Sequence, residues 1–249
     1  MSNIDINKPL LECLKQFKAP EEKDYEARKK DLEEDFVLLA KKLLYGGYFI
    51  VSDKKQEKLR IEINSIEFYY HDEKEDLGNN RIYDWIMYHR NTKSGGKKVP
   101  YETGTLNAHV SGIDITFEDY KEGLKAEEVK YRASALIRSF KVIFNQKSKK
   151  EILEEHPTKL YDYLFMQVPL PDLNIHWQNK EQIDPKSKLY KGKRINVFKY
   201  DNNDPSKKNC EILDKREWAF SKEKRVVKHD KYKTDNPYYK YETYDTEVL

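Results

Sequence analysis

The feature that most constrains this chain is a long run of alternating apolar and polar side chains in its first third. Between residues 59 and 70, apolar side chains recur at every second position over most of the run, which is the period of a β-strand that buries one face. The same period returns at 132–142, and shorter β-rich runs occur at 48–51, 105–109 and 113–117. Because short turns join several of these runs, we expect an antiparallel sheet.

Helical patterns flank this strand-rich region. The apolar residues within Pro9–Phe17 are spaced to form one helical stripe, and a second helix is predicted at about Glu21–Leu44, opened by Pro20. A third helix is predicted at Glu151–Leu164, with Pro157 as a kink or a start point. Together the patterns predict an α+β fold in which a curved antiparallel β-sheet carries N-terminal helices.

We expect one main domain with an extension at each end. Residues 1–35 are predicted to form an N-terminal helical appendage, and residues 36–233 combine strand and helix patterns as the main α+β domain. The tail at 234–249 is rich in Tyr and Asp and is expected to be loose.

The composition excludes several classes of protein. The 249 residues contain no run of about 18 apolar residues, so no membrane-spanning helix is expected. The N-terminus lacks the apolar core of a signal peptide. Two cysteines, Cys13 and Cys210, are too few for a disulfide scaffold or a Cys-based zinc site, and free thiols fit a reducing cytoplasm. We therefore expect a cytoplasmic protein, monomeric and without a membrane partner.

The segment Lys180–Lys233 is basic. It carries 17 Lys or Arg residues against 9 Asp or Glu residues. Such an excess favours binding to polyanions in a salt-dependent way. A solvated lysine-rich surface is an equally good interpretation of the same charges.

Two charged residues stand out within the predicted strands. Glu67 lies between Ile66 and Phe68 near the end of a strand, where partial burial beside aromatic rings would strengthen the carboxylate as a base. An exposed acid on an edge strand is the alternative. Arg138 follows two aliphatic residues, and burying a guanidinium is unfavourable unless it is paired. Glu67 would be a suitable partner; the alternative is an arginine that reaches into solvent at a strand end.

Polar side chains also alternate along the next two predicted strands. Asn107, His109 and Ser111 share one face of an extended chain, and Asp114 projects after the following turn. Such a set can line a polar pocket floor, although a strand with one solvated face gives the same pattern.

Metal binding by histidines at 71, 89 and 109 is a weaker interpretation, since no His-Glu-x-x-His spacing supports it. We therefore predict no metal site.

The order of these elements resembles that of the alkyladenine (3-methyladenine) DNA glycosylases. That family carries Glu-x-Glu-Ala-Tyr, then a downstream Asp and His, then Gly-Thr-Leu-Tyr and Leu-Leu-Arg-Ala. The counterparts here are Ile66-Glu67-Phe68-Tyr69, Asp76 and His89, Gly104-Thr105-Leu106-Asn107, and Leu136-Ile137-Arg138-Ser139. Later segments at 192–197 and 217–219 resemble the C-terminal Gly-Pro-Arg-Val-Gly and Glu-Trp-Ala elements of that family. The resemblance covers roughly residues 36 to 227.

This resemblance implies an alkyladenine-glycosylase-like fold and a monofunctional DNA glycosylase. The enzyme would extrude a modified base from double-stranded DNA and hydrolyse its N-glycosidic bond, leaving an abasic site without a cofactor. Glu67 would be the general base that activates water, and Arg138 would hold Glu67 and the water. The implied base pocket comprises Tyr69, His89, His109, Asn107 and Asp114. The implied DNA contacts comprise Arg90, Lys97, Lys98, Ser111, Lys191, Lys193 and Arg194.

The chain departs from the family pattern in ways that bear on the substrate. The family places a wedge tyrosine just before a glycine, and that position falls near Ser111-Gly112 here. Asp114 has no counterpart and adds an acceptor to the pocket. A roomier, more polar pocket suits a hypermodified or glycosylated pyrimidine of bacteriophage DNA, which implies an antiviral role. Two alternatives are a non-catalytic nucleic-acid-binding module on the same fold and a metal-dependent nuclease or hydrolase.

Overall fold

The computed structural model describes residues 4–21, 24–74, 76–84, 86–87, 99–145, 150–200, 208–230 and 240–248. The chain divides into two compact units, Met1–Ser187 and Lys188–Leu249. This division differs from the predicted boundaries, because the N-terminal helices belong to the first unit and the break falls at 187/188. Within the described ranges, no helix is both long and apolar enough to cross a membrane.

Two helices open the first unit, close to the predicted positions. The first helix, α1, spans Leu10–Gln16, and the second, α2, spans Tyr25–Tyr45. The side chain of Asp24 caps α2 by accepting hydrogen bonds from the first-turn backbone N–H groups of Glu26 and Ala27. Gly46 is the C-cap of this helix. The predicted pair of N-terminal helices is therefore confirmed.

Seven strands in the described part of the first unit form one antiparallel sheet. They are β1 (Gly47–Ser52), β2 (Glu57–Asp72), β3 (Leu106–His109), β4 (Gly112–Thr116), β5 (Tyr131–Phe144), β6 (Glu151–Glu154) and β7 (Asn174–Asn179). Their order is β7-β1-β2-β5-β4-β3, and β6 pairs with β5 beyond the end of β4. The large antiparallel sheet with few helices confirms the predicted α+β class.

One face of this sheet is apolar and is covered by the N-terminal helices. Phe36 of α2 stacks on Phe68 of β2, with ring centroids 4.4 Å apart. Phe17, which follows α1, meets Phe117 edge to face at 4.9 Å. All four rings are buried. The segment that we expected to be an appendage therefore supplies part of the core.

Two β-bulges keep the apolar side chains of β2 and β5 on the same face. The register passes from Ile63↔Phe140 to Ser65↔Ser139 and then to Ile66↔Ile137. It skips Asn64 on one strand and Arg138 on the other. The apolar alternation shifts by one residue at this point in both strands. The extra residue in each bulge compensates for that shift. Glu67 and Arg138 consequently project from the opposite face of the sheet.

The prediction of a helix at Glu151–Leu164 is wrong for the first half of that range. Residues 151–154 form β6, which pairs with residues 140–143 of β5. A 3₁₀ turn at Pro157–Lys159 then leads into the third helix, α3 (Leu160–Phe165). Proline disfavours the α conformation in the residue before it and lacks an N–H donor, so the helix starts only after Pro157.

The second unit is built from short strands. They are β8 (Leu189–Gly192), β9 (Phe198–Tyr200), β10 (Lys208–Leu213), β11 (Ala219–Ser221), β12 (Val226–Asp230), β13 (Lys240–Tyr244) and β14 (Thr246–Val248). Antiparallel pairing joins β8 to both β11 and β14, β9 to β10, and β12 to β13. The described residues of the predicted loose tail, 240–248, thus lie in strands β13 and β14, except Asp245 between them. Residues 188–249 carry 16 Lys or Arg against 11 Asp or Glu.

A buried ion-pair cluster lies near the start of β11. Asp214 is bonded to the guanidinium groups of Arg194 and Arg216. Both guanidinium groups also lie over the ring of Trp218, at 5.3 and 4.3 Å from its centroid. Burial alone would raise the pKa of Asp214, but the charges of Arg216 and Arg194 outweigh it and hold that pKa well below its usual value.

This cluster predicts a loss of stability in acid. Because the pKa of Asp214 is lower in the folded than in the unfolded state, its contribution is present above the unfolded value, about 3.9. The contribution is lost progressively as the pH falls below about 4. In thermal unfolding between pH 6 and pH 2.5, we expect a steeper fall of Tm for the wild type than for Asp214→Asn. The exposed-site control Asp184→Asn should follow the wild type; parallel curves for all three proteins would contradict the prediction.

Candidate active site

The sheet face opposite the helices carries a row of three polar side chains and one leucine across four strands. Asn107 of β3, Asp114 of β4, Leu136 of β5 and Glu67 of β2 are successive register partners. Glu67 is fully buried and Asp114 is 4% exposed. Polar groups that leave water need partners, so such a row on an inner face is unusual. The sheet therefore brings together residues that come from three separate sequence motifs.

Glu67 contacts Tyr69 and Arg138 on this face. Its Oε2 accepts a hydrogen bond from the hydroxyl of Tyr69 at 2.8 Å. Its Oε1 lies 3.6 Å from Nε of Arg138, whose side chain is 18% exposed. The distance is that of a close ion pair rather than a direct hydrogen bond. The acid and the guanidinium that the sequence predicted to be partners thus lie side by side.

The bulge on β5 explains how Arg138 reaches Glu67. A bulged residue has no register partner and is turned relative to its neighbours, which lets the side chain lean toward the adjacent strand. Glu67 pairs with Leu136, so Arg138 lies on the diagonal from it. Among the described residues, Nε of Arg138 is buried and finds no hydrogen-bond acceptor. The site therefore contains a donor beside the carboxylate that can serve a third group.

His109 and Asp114 form a second pair on the same face. Nε2 of His109 lies 3.2 Å from Oδ1 of Asp114, and both side chains are nearly buried. The backbone N–H of Ser111 donates to Nδ1 of the same ring at 3.2 Å. Nδ1 is therefore unprotonated, which leaves Nε2 as the protonated nitrogen facing the carboxylate. At the end of the β3–β4 hairpin, the imidazole accepts a hydrogen bond on one side and faces the carboxylate at ion-pair distance on the other.

Ser134 contacts this pair, although it was not predicted as a site residue from the sequence. Its hydroxyl donates to Oδ2 of Asp114 at 3.3 Å, and the residue is fully buried on β5. Ser134 is also the register partner of Tyr69, so it lies between the two halves of the site. The alternation along residues 132–138 could have identified Ser134 as a site residue, because every second residue of β5 faces the site.

His71 continues the polar face along β2. Its Nδ1 accepts a hydrogen bond from the backbone N–H of Asp84 at 3.1 Å, and its ring meets Tyr83 edge to face at 5.4 Å. The structure therefore places His71 two residues beyond Tyr69 on the site face. The competing candidate His89 lies outside the described residues, as do Arg90, Lys97 and Lys98.

The predicted DNA contacts of the second unit differ in their exposure. Lys191 is half-buried and lies 3.6 Å from Glu217, and Lys193 is also half-buried. Arg194 is 1% exposed and is bonded to Asp214. Its guanidinium is used within the fold, because a buried cation needs a partner. Arg194 is accordingly corrected from a phosphate contact to a structural residue.

Two further observations concern the first unit. A cavity of about 400 Å³ is lined by residues of α1 and of the helix-covered face of the sheet, among them Leu11, Phe49 and Ile115, and by none of the predicted site residues. In the part of the chain that the structure describes, no three His, Cys, Asp or Glu side chains are grouped as metal ligands. That part includes His71 and His109 but not His89.

Comparisons with known protein families, with curated proteins and with solved structures found no match to this chain. The resemblance to alkyladenine glycosylases therefore stays a prediction from the order of the motifs. Glu67, Tyr69 and Arg138, which carry that resemblance, are in contact on one face of the sheet. What this site can do follows from the chemistry of these contacts.

Proposed function

We propose that this protein is a DNA glycosylase that removes a modified base by hydrolysing its N-glycosidic bond. The observation that carries the proposal is the buried carboxylate of Glu67 beside the guanidinium of Arg138. A buried acid beside a cation with an unused donor is suited to hold one water molecule and take its proton. The same arrangement supports an alkyladenine-glycosylase-like fold for the first unit.

The chemistry requires only these side chains and water. As the bond between C1′ of the sugar and the base nitrogen breaks, its electron pair leaves with the base and positive charge develops on the sugar. The negative charge of Glu67 stabilises that sugar cation. Water forms the new C1′–O bond and gives its proton to Glu67, and the departing base takes a proton from solvent. Arg138 orients the carboxylate and the water, and an abasic site remains in the DNA.

The polar row suits a base with hydroxyl-bearing substituents. Asn107 and Asp114 offer amide and carboxylate oxygens that accept hydrogen bonds, and the ring of His109 is held beside them. Hydrogen-bonding sites discriminate strongly against substrates that leave their polar groups unpaired. We therefore propose a hypermodified or glycosylated pyrimidine, of the kind present in bacteriophage DNA, as the substrate and antiviral defence as the role.

A screen of duplexes tests this function. The probes are duplexes with unmodified cytosine, 5-hydroxymethylcytosine, glucosylated 5-hydroxymethylcytosine and 3-methyladenine, and alkali reveals abasic sites as strand breaks. We expect breaks at a modified cytosine and none at unmodified cytosine. Breaks at 3-methyladenine alone would support the proposed reaction but contradict the proposed substrate class. The absence of breaks in every duplex would contradict the proposal that the protein is a glycosylase.

A residue at the tip of the β3–β4 hairpin is expected to help extrude the base. Val110 at its tip is 81% exposed and lies next to His109. Apolar side chains inserted between base steps offset the unstacking that extrusion requires. We expect Val110→Asp to lower excision from a duplex by about tenfold, with little loss on the same base in single-stranded DNA.

Leu170 provides the control for this prediction. It is also highly exposed in the first unit, at 73%, but lies in a 3₁₀ turn far along the chain from the hairpin. Leu170→Asp should leave excision from both substrates unchanged. An equal loss on duplex and single strand for Val110→Asp would show that Val110 does not act by opening the stack.

The second candidate function is a non-catalytic nucleic-acid-binding module. The observation that favours it is the excess of five positive charges in residues 188–249, which suits the phosphate backbone without requiring chemistry. Glu67→Gln separates the two functions, because a module that only binds loses nothing when the acid is neutralised. Sensitivity to a chelator would instead support a metal-dependent nuclease.

A further inference from the structure

The two oxygens of Glu67 have different neighbours. Oε2 accepts the hydrogen bond from the hydroxyl of Tyr69 at 2.8 Å, whereas Oε1 faces Nε of Arg138 at 3.6 Å. A hydrogen bond to a charged carboxylate is directional and stronger than one between neutral groups. The phenol of Tyr69 therefore restrains the orientation of the carboxylate through Oε2.

The hydroxyl of Tyr69 has a defined contact in the site. The residue is 8% exposed, and its register partner across β5 is Ser134. The hydroxyl donates to Glu67, which is itself fully buried.

We infer that Tyr69 is a positioning residue for Glu67. Its hydroxyl donates to Oε2 and thereby orients the carboxylate that is proposed to take the proton from water. The phenol donates this hydrogen bond and forms no bond to the substrate in the reaction. The inference rests on the proposed glycosylase function and adds a residue to it.

The substitution Tyr69→Phe isolates the hydroxyl, because it keeps the ring. Under single-turnover conditions, on whichever duplex of the screen the wild type cuts fastest, we expect the maximal excision rate to fall about 10- to 100-fold. The enzyme concentration for half-maximal rate should stay unchanged, since substrate binding does not involve the hydroxyl. A raised half-maximal concentration with an unchanged maximal rate would assign Tyr69 to the base pocket and overturn the inference.

Tyr70→Phe is the matched control. It removes a neighbouring buried hydroxyl, which donates to Asp72 at 2.7 Å on the other face of β2. A lower Tm with an unchanged maximal rate is expected for this variant. An equal loss of rate in both variants would show a general structural effect and overturn the specific role of Tyr69.

Crystal structures of the wild type and Tyr69→Phe separate this inference from the proposed function. We expect the carboxylate of Glu67 to adopt one orientation in the wild type and to rotate or split in the variant. An identical, single orientation in both proteins overturns the inference, whether or not any duplex is cut. A wild type inactive on every duplex overturns the glycosylase function, and the structures then decide the positioning role alone.

Discussion

Glu67→Gln is expected to lower the rate of base excision by about 10²- to 10⁴-fold, the range that general-base catalysis contributes. Glutamine has the shape of glutamate and can still accept the hydrogen bond from Tyr69, but it carries no charge and takes no proton from water. The affinity for duplex DNA should remain that of the wild type, because Glu67 is fully buried and a buried side chain adds little to contacts made at the protein surface. Single-turnover excision and equilibrium DNA binding measure the two effects separately.

Glu62→Gln is the control for this substitution. Glu62 lies on the same strand but on its more exposed part, 4.0 Å from Lys180. The same chemical change there should leave both excision and binding unchanged. Retention of full excision by Glu67→Gln would remove Glu67 from the mechanism, and loss of DNA binding together with excision would indicate damage to the fold.

Arg28→Met is expected to lower the free energy of unfolding by about 3–5 kcal/mol, the loss typical of a buried ion pair that is broken from one side. The guanidinium of Arg28 on α2 bonds to Asp72 at the end of β2, at 2.8 Å, and both side chains are 2% exposed. Asp72 also accepts hydrogen bonds from Tyr70 and from the backbone of Ile82. Removal of Arg28 leaves this carboxylate buried without its cation. Denaturant unfolding monitored by circular dichroism measures the change.

The neighbouring residue on α2 provides the comparison. Lys29 lies 3.6 Å from Glu26 at the surface, and Lys29→Met should change the free energy of unfolding by about 0–1 kcal/mol. The double variant Arg28→Met/Asp72→Leu should recover part of the loss, because neither charge is then buried alone. Equal losses for Arg28→Met and Lys29→Met would show that the buried pair does not anchor α2 to the sheet.

The strands and the fold class could be predicted because their signals are local. Alternation along β2 and β5 depends only on which face is buried, and it identified both long strands. The helix prediction at 151–164 failed over its first half because β6 is defined by pairing with residues 140–143, a long-range partner that no local pattern shows. The boundary at 187/188 was not predicted, because it is set by tertiary contacts that no local pattern shows.

Half of the site could be predicted from the residues and half could not. A charged residue in an apolar strand needs a partner, and that rule alone links Glu67 to Arg138 in the sequence. The paired bulges that bring Arg138 onto the diagonal were not predicted, although the change of phase after Ile63 is visible in the sequence. The burial of Arg194 was missed because its partner, Asp214, lies 20 residues further along the chain.

The most direct test of the account is a double-mutant cycle between Glu67 and Arg138, measured by single-turnover excision. If the two side chains act on one water molecule as a unit, Glu67→Gln, Arg138→Met and the double variant lose nearly the same rate, because removal of either partner disables both. Independent, multiplicative losses would contradict the central claim, as would full activity in either single variant.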